Sequence, residues 1–273
     1  MKTHFAGSEQ WAAIPRCHVK DTLDKTYYHF FFGVLLPLLE LSRRILFSPY
    51  QTLWLESCGP FDNQLAELRE LLPLRVVPFA EIANAVRMGG ARPFYLDSME
   101  LYLFFEHGFA IRPAAYDGEH LRAIARHTKP YFMDWSKQDY PEVLIVDRED
   151  TRPHHGATTR RIPNTRELED GIRSTGLTVA TRCLEGCSLE YQINLFHRVR
   201  WVIAQHGSAL CNLVWSTSKT KVLELVPRLF SGPDWQYFST LSEELGISRA
   251  EIVQNDPFEP VDVKKILKAV QSL

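Results

Sequence analysis

The 273 residues are 45% hydrophobic and 23% charged, enough apolar content for one large or two smaller buried cores and too much for a disordered chain. A formal net charge of −2 excludes a broad electrostatic claim on nucleic acid or an anionic membrane, so any anion site must be local. Five cysteines without paired CxxC spacing fit a reduced compartment; Cys183 and Cys187, four apart, either share a helical face or need a second ligand pair to hold a metal.

The amino-terminal stretch MKTHFAGSEQWAAIPRC lacks the continuous apolar core of a signal peptide, and a cytoplasmic location is the expectation. Phe30–Leu39 is apolar but too short to span a bilayer, and it is closed by Glu40, Arg43 and Arg44. Arg43 and Arg44 read either as a solvated helix end or as a contact with a membrane surface. Patterning then predicts helix Tyr27–Ile45, strand Thr52–Glu56, helix Asn63–Leu72, strand Arg75–Pro78, and helices near Ser98–Glu106 and Gly118–Arg126. Thr128–Pro141, with two prolines and mixed polar and aromatic residues, reads as a boundary.

Beyond it come strand Val143–Asp147, helix Thr165–Ser174, strand Thr178–Arg182, helix Ser188–Arg198, strands Trp201–Ala204 and Lys221–Val226, and a final helix Val261–Leu273. Strands alternating with helices indicate mostly parallel sheets covered on both faces. The fold class is therefore α/β, with two Rossmann-like domains facing a cleft: residues 1–140, residues 141–256, and a C-terminal helix over 257–273 that crosses back to the first half.

Two connections carry the chemistry. Val202–Pro227, VIAQHGSALCNLVWSTSKTKVLELVP, reads as strand, small-residue loop, short helix and second buried strand. Gly207, Ser208 and Ala209 let backbone amides approach an anion where the helix dipole favours it, although a sharp turn alone also needs small residues. The connection DREDTRPHHGATTRRIPNT supplies Arg148, Arg152, Arg160 and Arg161, and both loops leave the carboxyl edge of the sheet. Arginine suits a diphosphate through its planar, permanently charged fork. His206 either contacts the ligand or packs and shapes the turn, and Asn212 bonds ligand or loop backbone. Glu224, inside a buried strand, needs a partner, either ribose hydroxyls or an arginine. His154 and His155 are adjacent and without a third ligand, so no metal site is assigned. The G-x-S-x-G elbow of a hydrolase is absent. Trp235 could stack on a base or sugar, whereas Trp215, Tyr237 and Phe238 read as core.

The order of Arg148, Arg160–Ile162, Asn164, Glu167 and Leu168, then AQHGSALCN at Ala204–Asn212, then VLELVP at Val222–Pro227, resembles family 61 glycosyltransferases. In the first half the similarity is confined to YYHFFFGVLLP at Tyr27–Pro37. The resemblance implies a GT-B type enzyme that inverts the anomeric centre, uses a UDP-sugar, and needs neither metal nor other cofactor. Xylose and N-acetylglucosamine are the sugars it favours, with a glycan or glycoconjugate hydroxyl as acceptor. The implied nucleotide-sugar contacts are Arg148, Arg160, Arg161, Asn164, His206, Gly207, Ser208, Ala209, Asn212 and Glu224. Many relatives carry an acid a few positions after the histidine of the first motif, where this chain has Gly33. That leaves His29 as first candidate for the general base, with Asp24 as the weaker alternative, and it motivates a second reading: a catalytically silent sugar-nucleotide or glycan-binding protein of the same fold.

Overall fold

The computed structural model describes residues 3–4, 10–16, 26–48, 50–99, 102–105, 108–111, 117–136, 140–148, 161–232 and 236–272. The chain divides into two compact units, Met1–Tyr116 with Ala123–Tyr131, and Asp117–Arg122 with Phe132–Leu273.

The first unit is built on strands β1 (Gln10–Arg16), β2 (Thr52–Glu56), β3 (Leu74–Val77) and β4 (Arg92–Asp97), all parallel in the order β3-β2-β1-β4. β1 is central although its sequence, QWAAIPR, is a weak strand signal. Pro15 is tolerated because it lies beyond the residues paired with β2, so its missing N–H leaves no gap there. Helix α1 runs from 27 to 44 in three parts: α-helical Tyr27–Phe30, π-helical Phe31–Leu35 and α-helical Leu36–Arg44. The π segment has a cause in Pro37, whose ring would clash with the Gly33 carbonyl in an uninterrupted helix and which cannot donate to it. Leu36 N–H reaches back to the Phe31 carbonyl instead, and the bypassed Phe32 carbonyl accepts Met99 N–H at 2.8 Å. At its end Arg43 and Arg44 both pair with Glu40, so their charges are engaged within the helix. Helices α2 (Asp62–Glu67) and α3 (Phe79–Arg87) complete the described layers.

One expectation fails here. The described residues of Ser98–Glu106 are not helical: strands β5 (Tyr102–Phe105) and β6 (Gly108–Ile111) pair antiparallel. The continuous apolar run LYLFF carries no period, so helix and strand were indistinguishable in it. Helix α4, Gly118–Phe132, has its residues divided between the units.

The second unit holds β7 (Val143–Asp147), α5 (Thr165–Arg173), β8 (Val179–Cys183), α6 (Leu189–Arg198), β9 (Trp201–Gln205), β10 (Lys221–Pro227), α7 (Tyr237–Glu244), β11 (Ser248–Gln254) and α8 (Val263–Ser272). Its five strands are parallel in the order β8-β7-β9-β10-β11. Numbered within the unit this is 2-1-3-4-5, a doubly wound sheet whose order reverses between β7 and β9. Val143, Ile145, Trp201, Ile203, Leu223 and Leu225 form one core face with Leu168 and Ile172 of α5. Ile266 and Val270 of α8 join the same core, so the final helix covers the second sheet rather than crossing back to the first half; its apolar residues four apart find their burial there. Among the described residues no helix is long and apolar enough to cross a membrane.

Candidate functional site

Ligands of doubly wound sheets bind beyond the carboxyl ends of the strands where the order reverses, here β7 and β9. β7 is buried throughout and ends in Asp147. Asp147 Oδ1 accepts the backbone N–H of Arg148 at 2.9 Å and of Ile162 at 3.2 Å, and Oδ2 accepts the Thr165 hydroxyl at 3.1 Å. One carboxylate thus pins both ends of the βα connection. Arg161 Nε stands 3.6 Å from the same carboxylate, with half of its side chain exposed.

The next residue, Arg148, is the distinctive group. Burial pushes its pKa down, and the negative charges of Glu185 and Asp147 only partly oppose that shift. Its guanidinium makes no hydrogen bond or ion pair with any described residue. It lies against Gly207, the residue that caps the 3₁₀ helix Ser208–Trp215 after β9, where a Cβ would overlap Arg148 Nη2. Gly207 is extended, at φ 167° and ψ 171°, a conformation open to any residue; glycine is required for space. The short helix expected here is 3₁₀. Leu210 N–H is bonded to the Gly207 carbonyl at 3.0 Å, and the N–H groups of Ser208 and Ala209 precede this first intrahelical donor.

His206 and Glu224 meet because strand alternation and register require it. Ala204 is paired with Glu224, and residue 206 is on the same face as 204. His206 Nδ1 and Glu224 Oε1 are 2.6 Å apart, and Arg249 Nε donates to Glu224 Oε2 at 2.6 Å. Burial raises the Glu224 pKa, but the hydrogen bond and charge of His206 together with Arg249 outweigh it and hold the carboxyl below its ordinary range. Arg249 also reaches Glu251 at 2.8 Å, relieving two carboxylates placed side by side in the β10–β11 register. The His206 ring is 4% exposed, stacked on Phe230 at 5.5 Å and 15°, and flanked by Tyr237 and Phe238. Of the two readings for Glu224, the arginine is the partner present.

The two asparagines act within the fold. Asn212 is wholly buried, donating to Gln192 Oε1 and the Ala209 carbonyl and accepting from Trp215 Nε1. Asn164 donates to the Val261 carbonyl at 3.0 Å and accepts Val261 N–H at 2.8 Å, which ties the segment before α8 to the start of α5. His29 belongs to the first unit, half-buried at the start of α1 with its ring edge-on to Tyr28. Asp24, Arg160, Trp235, His154 and His155 lie outside the described residues. Among the described residues no three of His, Cys, Asp and Glu form a metal-ligand group.

Three residues of this sheet and its connections escaped sequence reasoning. Arg249 sits in a polar strand without motif, though its place two before Glu251 is a period-2 signal. The others are acceptors: Glu185 Oε2, in the turn after β8, and Gln205 Oε1, at the end of β9, are both buried without a hydrogen-bond donor. Gln205 Nε2, by contrast, is bonded to the Pro257 carbonyl and Gln254.

Among the described residues, the Arg148 guanidinium, Glu185 Oε2 and Gln205 Oε1, at the carboxyl ends of the neighbouring strands β7, β8 and β9, thus make no hydrogen bond. Residues 27–223 match the family described as Glycosyltransferase 61, well over half of the chain. The chain belongs to glycosyltransferase family 61. Proteins similar to it include the β-1,2-xylosyltransferase RCN11 of Oryza sativa subsp. japonica, 29% identical over 106 residues that cover 36% of this chain. The chain spans about a fifth of the length of that relative, 20%.

Proposed function

We propose that this family 61 protein is an inverting glycosyltransferase of GT-B type that moves a sugar from UDP to a glycan or glycoconjugate hydroxyl without a metal ion. The observation that carries the reading is the Arg148 guanidinium, partly buried at the reversal of the second sheet, its charge only partly offset by Glu185 and Asp147 and without a hydrogen bond or ion pair to any described residue. Leaving a desolvated cation unpaired is costly, and a diphosphate supplies the missing charge. During transfer the charge on that diphosphate grows as the glycosidic bond breaks, so Arg148 and the amides at Ser208 and Ala209 stabilise the departing group more than the bound donor. Arg161, half-exposed beside Asp147, is placed to add a second cation. His29, carried by the first unit, is the proposed base for the acceptor hydroxyl, which attacks from the face opposite the diphosphate. The xylosyl specificity of the rice relative makes UDP-xylose the first donor to test, with UDP-N-acetylglucosamine second.

The test is release of UDP from each donor, measured with and without EDTA beside a thermal-shift assay. EDTA-insensitive release with a selective rise in unfolding temperature supports the reading. A thermal shift with no turnover against any acceptor favours a silent sugar-nucleotide binder, and no shift with any nucleotide removes the donor site.

A further inference from the structure

Glu185 is the remaining group at this edge without a role. It follows β8, the strand beside β7, in a turn completed by Gly186 at φ +75°. Its Oε2 is buried and no donor among the described residues reaches it. A buried carboxylate oxygen without a donor is among the least favourable arrangements in a protein interior and is uncommon in native structures. Cys183 is the register partner of Asp147, so Glu185 and Arg148 follow the paired ends of two adjacent strands, and the Glu185 charge partly supports that of Arg148 although the two form neither a hydrogen bond nor an ion pair. Carboxylate and guanidinium therefore stand at neighbouring strand ends without closing on each other. A group that satisfies both must present an anion to Arg148 and hydroxyl donors to Glu185.

Resting on the donor reading above, we infer that Glu185 accepts the ribose hydroxyls of the nucleoside diphosphate whose phosphates Arg148 holds. Three observations select the ribose. An ionised carboxylate only accepts hydrogen bonds, and a ribose supplies two neighbouring hydroxyls. In the dinucleotide-binding form of the doubly wound sheet an acidic residue about 20 residues after the first βα turn bonds the ribose while the phosphates stay at the switch point. Here Glu185 follows β8, the next strand after β7 in the chain and paired with it. Glu185 thus selects ribonucleotides over deoxyribonucleotides and orients the diphosphate on Arg148.

Calorimetric titration of wild type, Glu185→Ala and Glu185→Gln with UDP, 2′-deoxy-UDP and UDP-xylose tests this. Wild type is expected to prefer UDP over 2′-deoxy-UDP by about tenfold, the loss of one hydrogen bond to a charged acceptor. Glu185→Ala is expected to bind the two within about twofold, with the deoxynucleotide nearly unaffected and Glu185→Gln intermediate, since one bond to a neutral acceptor survives. Without ligand, both variants should unfold close to the wild-type temperature, because no internal hydrogen bond is lost and only the partial support that Glu185 gives the Arg148 charge is removed. Unchanged ribose discrimination in Glu185→Ala overturns the inference, as does an equal loss for UDP and 2′-deoxy-UDP. A loss confined to UDP-xylose overturns it in favour of a carboxylate facing the transferred sugar. If wild type binds UDP and only the discrimination fails, the donor site stands without this residue; if wild type binds no uridine nucleotide, the donor reading falls and this inference with it.

Discussion

The Arg148 guanidinium occupies the space that a side chain on residue 207 would fill. The colliding atom is the far end of a flexible side chain, so Gly207→Ala should displace Arg148 and leave the fold within about 0.5–1 kcal/mol of wild type. UDP affinity should fall at least tenfold, about 1.4 kcal/mol. Gly118→Ala is the contrast: its Cβ would meet the Glu244 backbone, which cannot yield, and unfolding temperature should drop sharply. Paired thermal and binding measurements on the two variants separate loss of a site from loss of a fold.

Arg148 itself should trade stability against binding. Arg148→Met keeps the length of the side chain and removes a desolvated charge without a hydrogen-bonded partner. Denaturant unfolding without ligand should show neutral to about 1 kcal/mol greater stability. The same variant should lose UDP binding by about 1.5–3 kcal/mol, the worth of a charged hydrogen bond. A variant that is both less stable and unimpaired in binding would assign Arg148 to the fold alone.

Glu224 should behave in the opposite way. Glu224→Gln leaves Arg249 without its buried counter-charge, and a loss of about 3 kcal/mol is expected in denaturant unfolding. The sign of its pH dependence follows from its depressed pKa: the folded state binds this proton less tightly than the unfolded state does. Its stabilisation is therefore present above the ordinary carboxylate pKa of 4.5 and is lost as pH falls through the lower folded value. Acid unfolding of Glu224→Gln should lose that portion of the slope.

Asn164 offers a clean separation between ligand and framework. Its amide is engaged twice by Val261, so Asn164→Ala should cost about 1–3 kcal/mol of stability. UDP affinity measured below the unfolding transition should stay within twofold of wild type. A selective loss of affinity would return Asn164 to the donor site.

The second unit was legible because its parallel strands are buried on both sides and read as unbroken apolar runs, VLIVD and VLELV above all. Strand β11 was invisible for the reason that makes it useful: SRAEIVQ is polar because the sheet edge needs Arg249 to compensate Glu224 and Glu251. β1 was hidden by Ala12, Ala13 and Pro15, residues of low strand propensity that tight central packing accepts. At the site, the arginine loop and the HGS turn stood out in the sequence because small residues and clustered cations are local signals. What Gly207 makes room for was not legible, since Arg148 meets it only through the pairing of β7 with β9. Glu185 gave no signal because a single carboxylate in a turn looks like solvent-facing sequence until its burial is known.

The π-helical turn at Phe31–Leu35 changes which residues share a bearing along the helix. A bond closed over five residues instead of four carries everything after it round the helix axis by about one position, roughly 100°. From Leu36 onward each residue takes the bearing that its predecessor has in an uninterrupted helix, so counting in fours from His29 across the turn misreads which side chains lie on one face. The bypassed Phe32 carbonyl, held by Met99 N–H, marks the step.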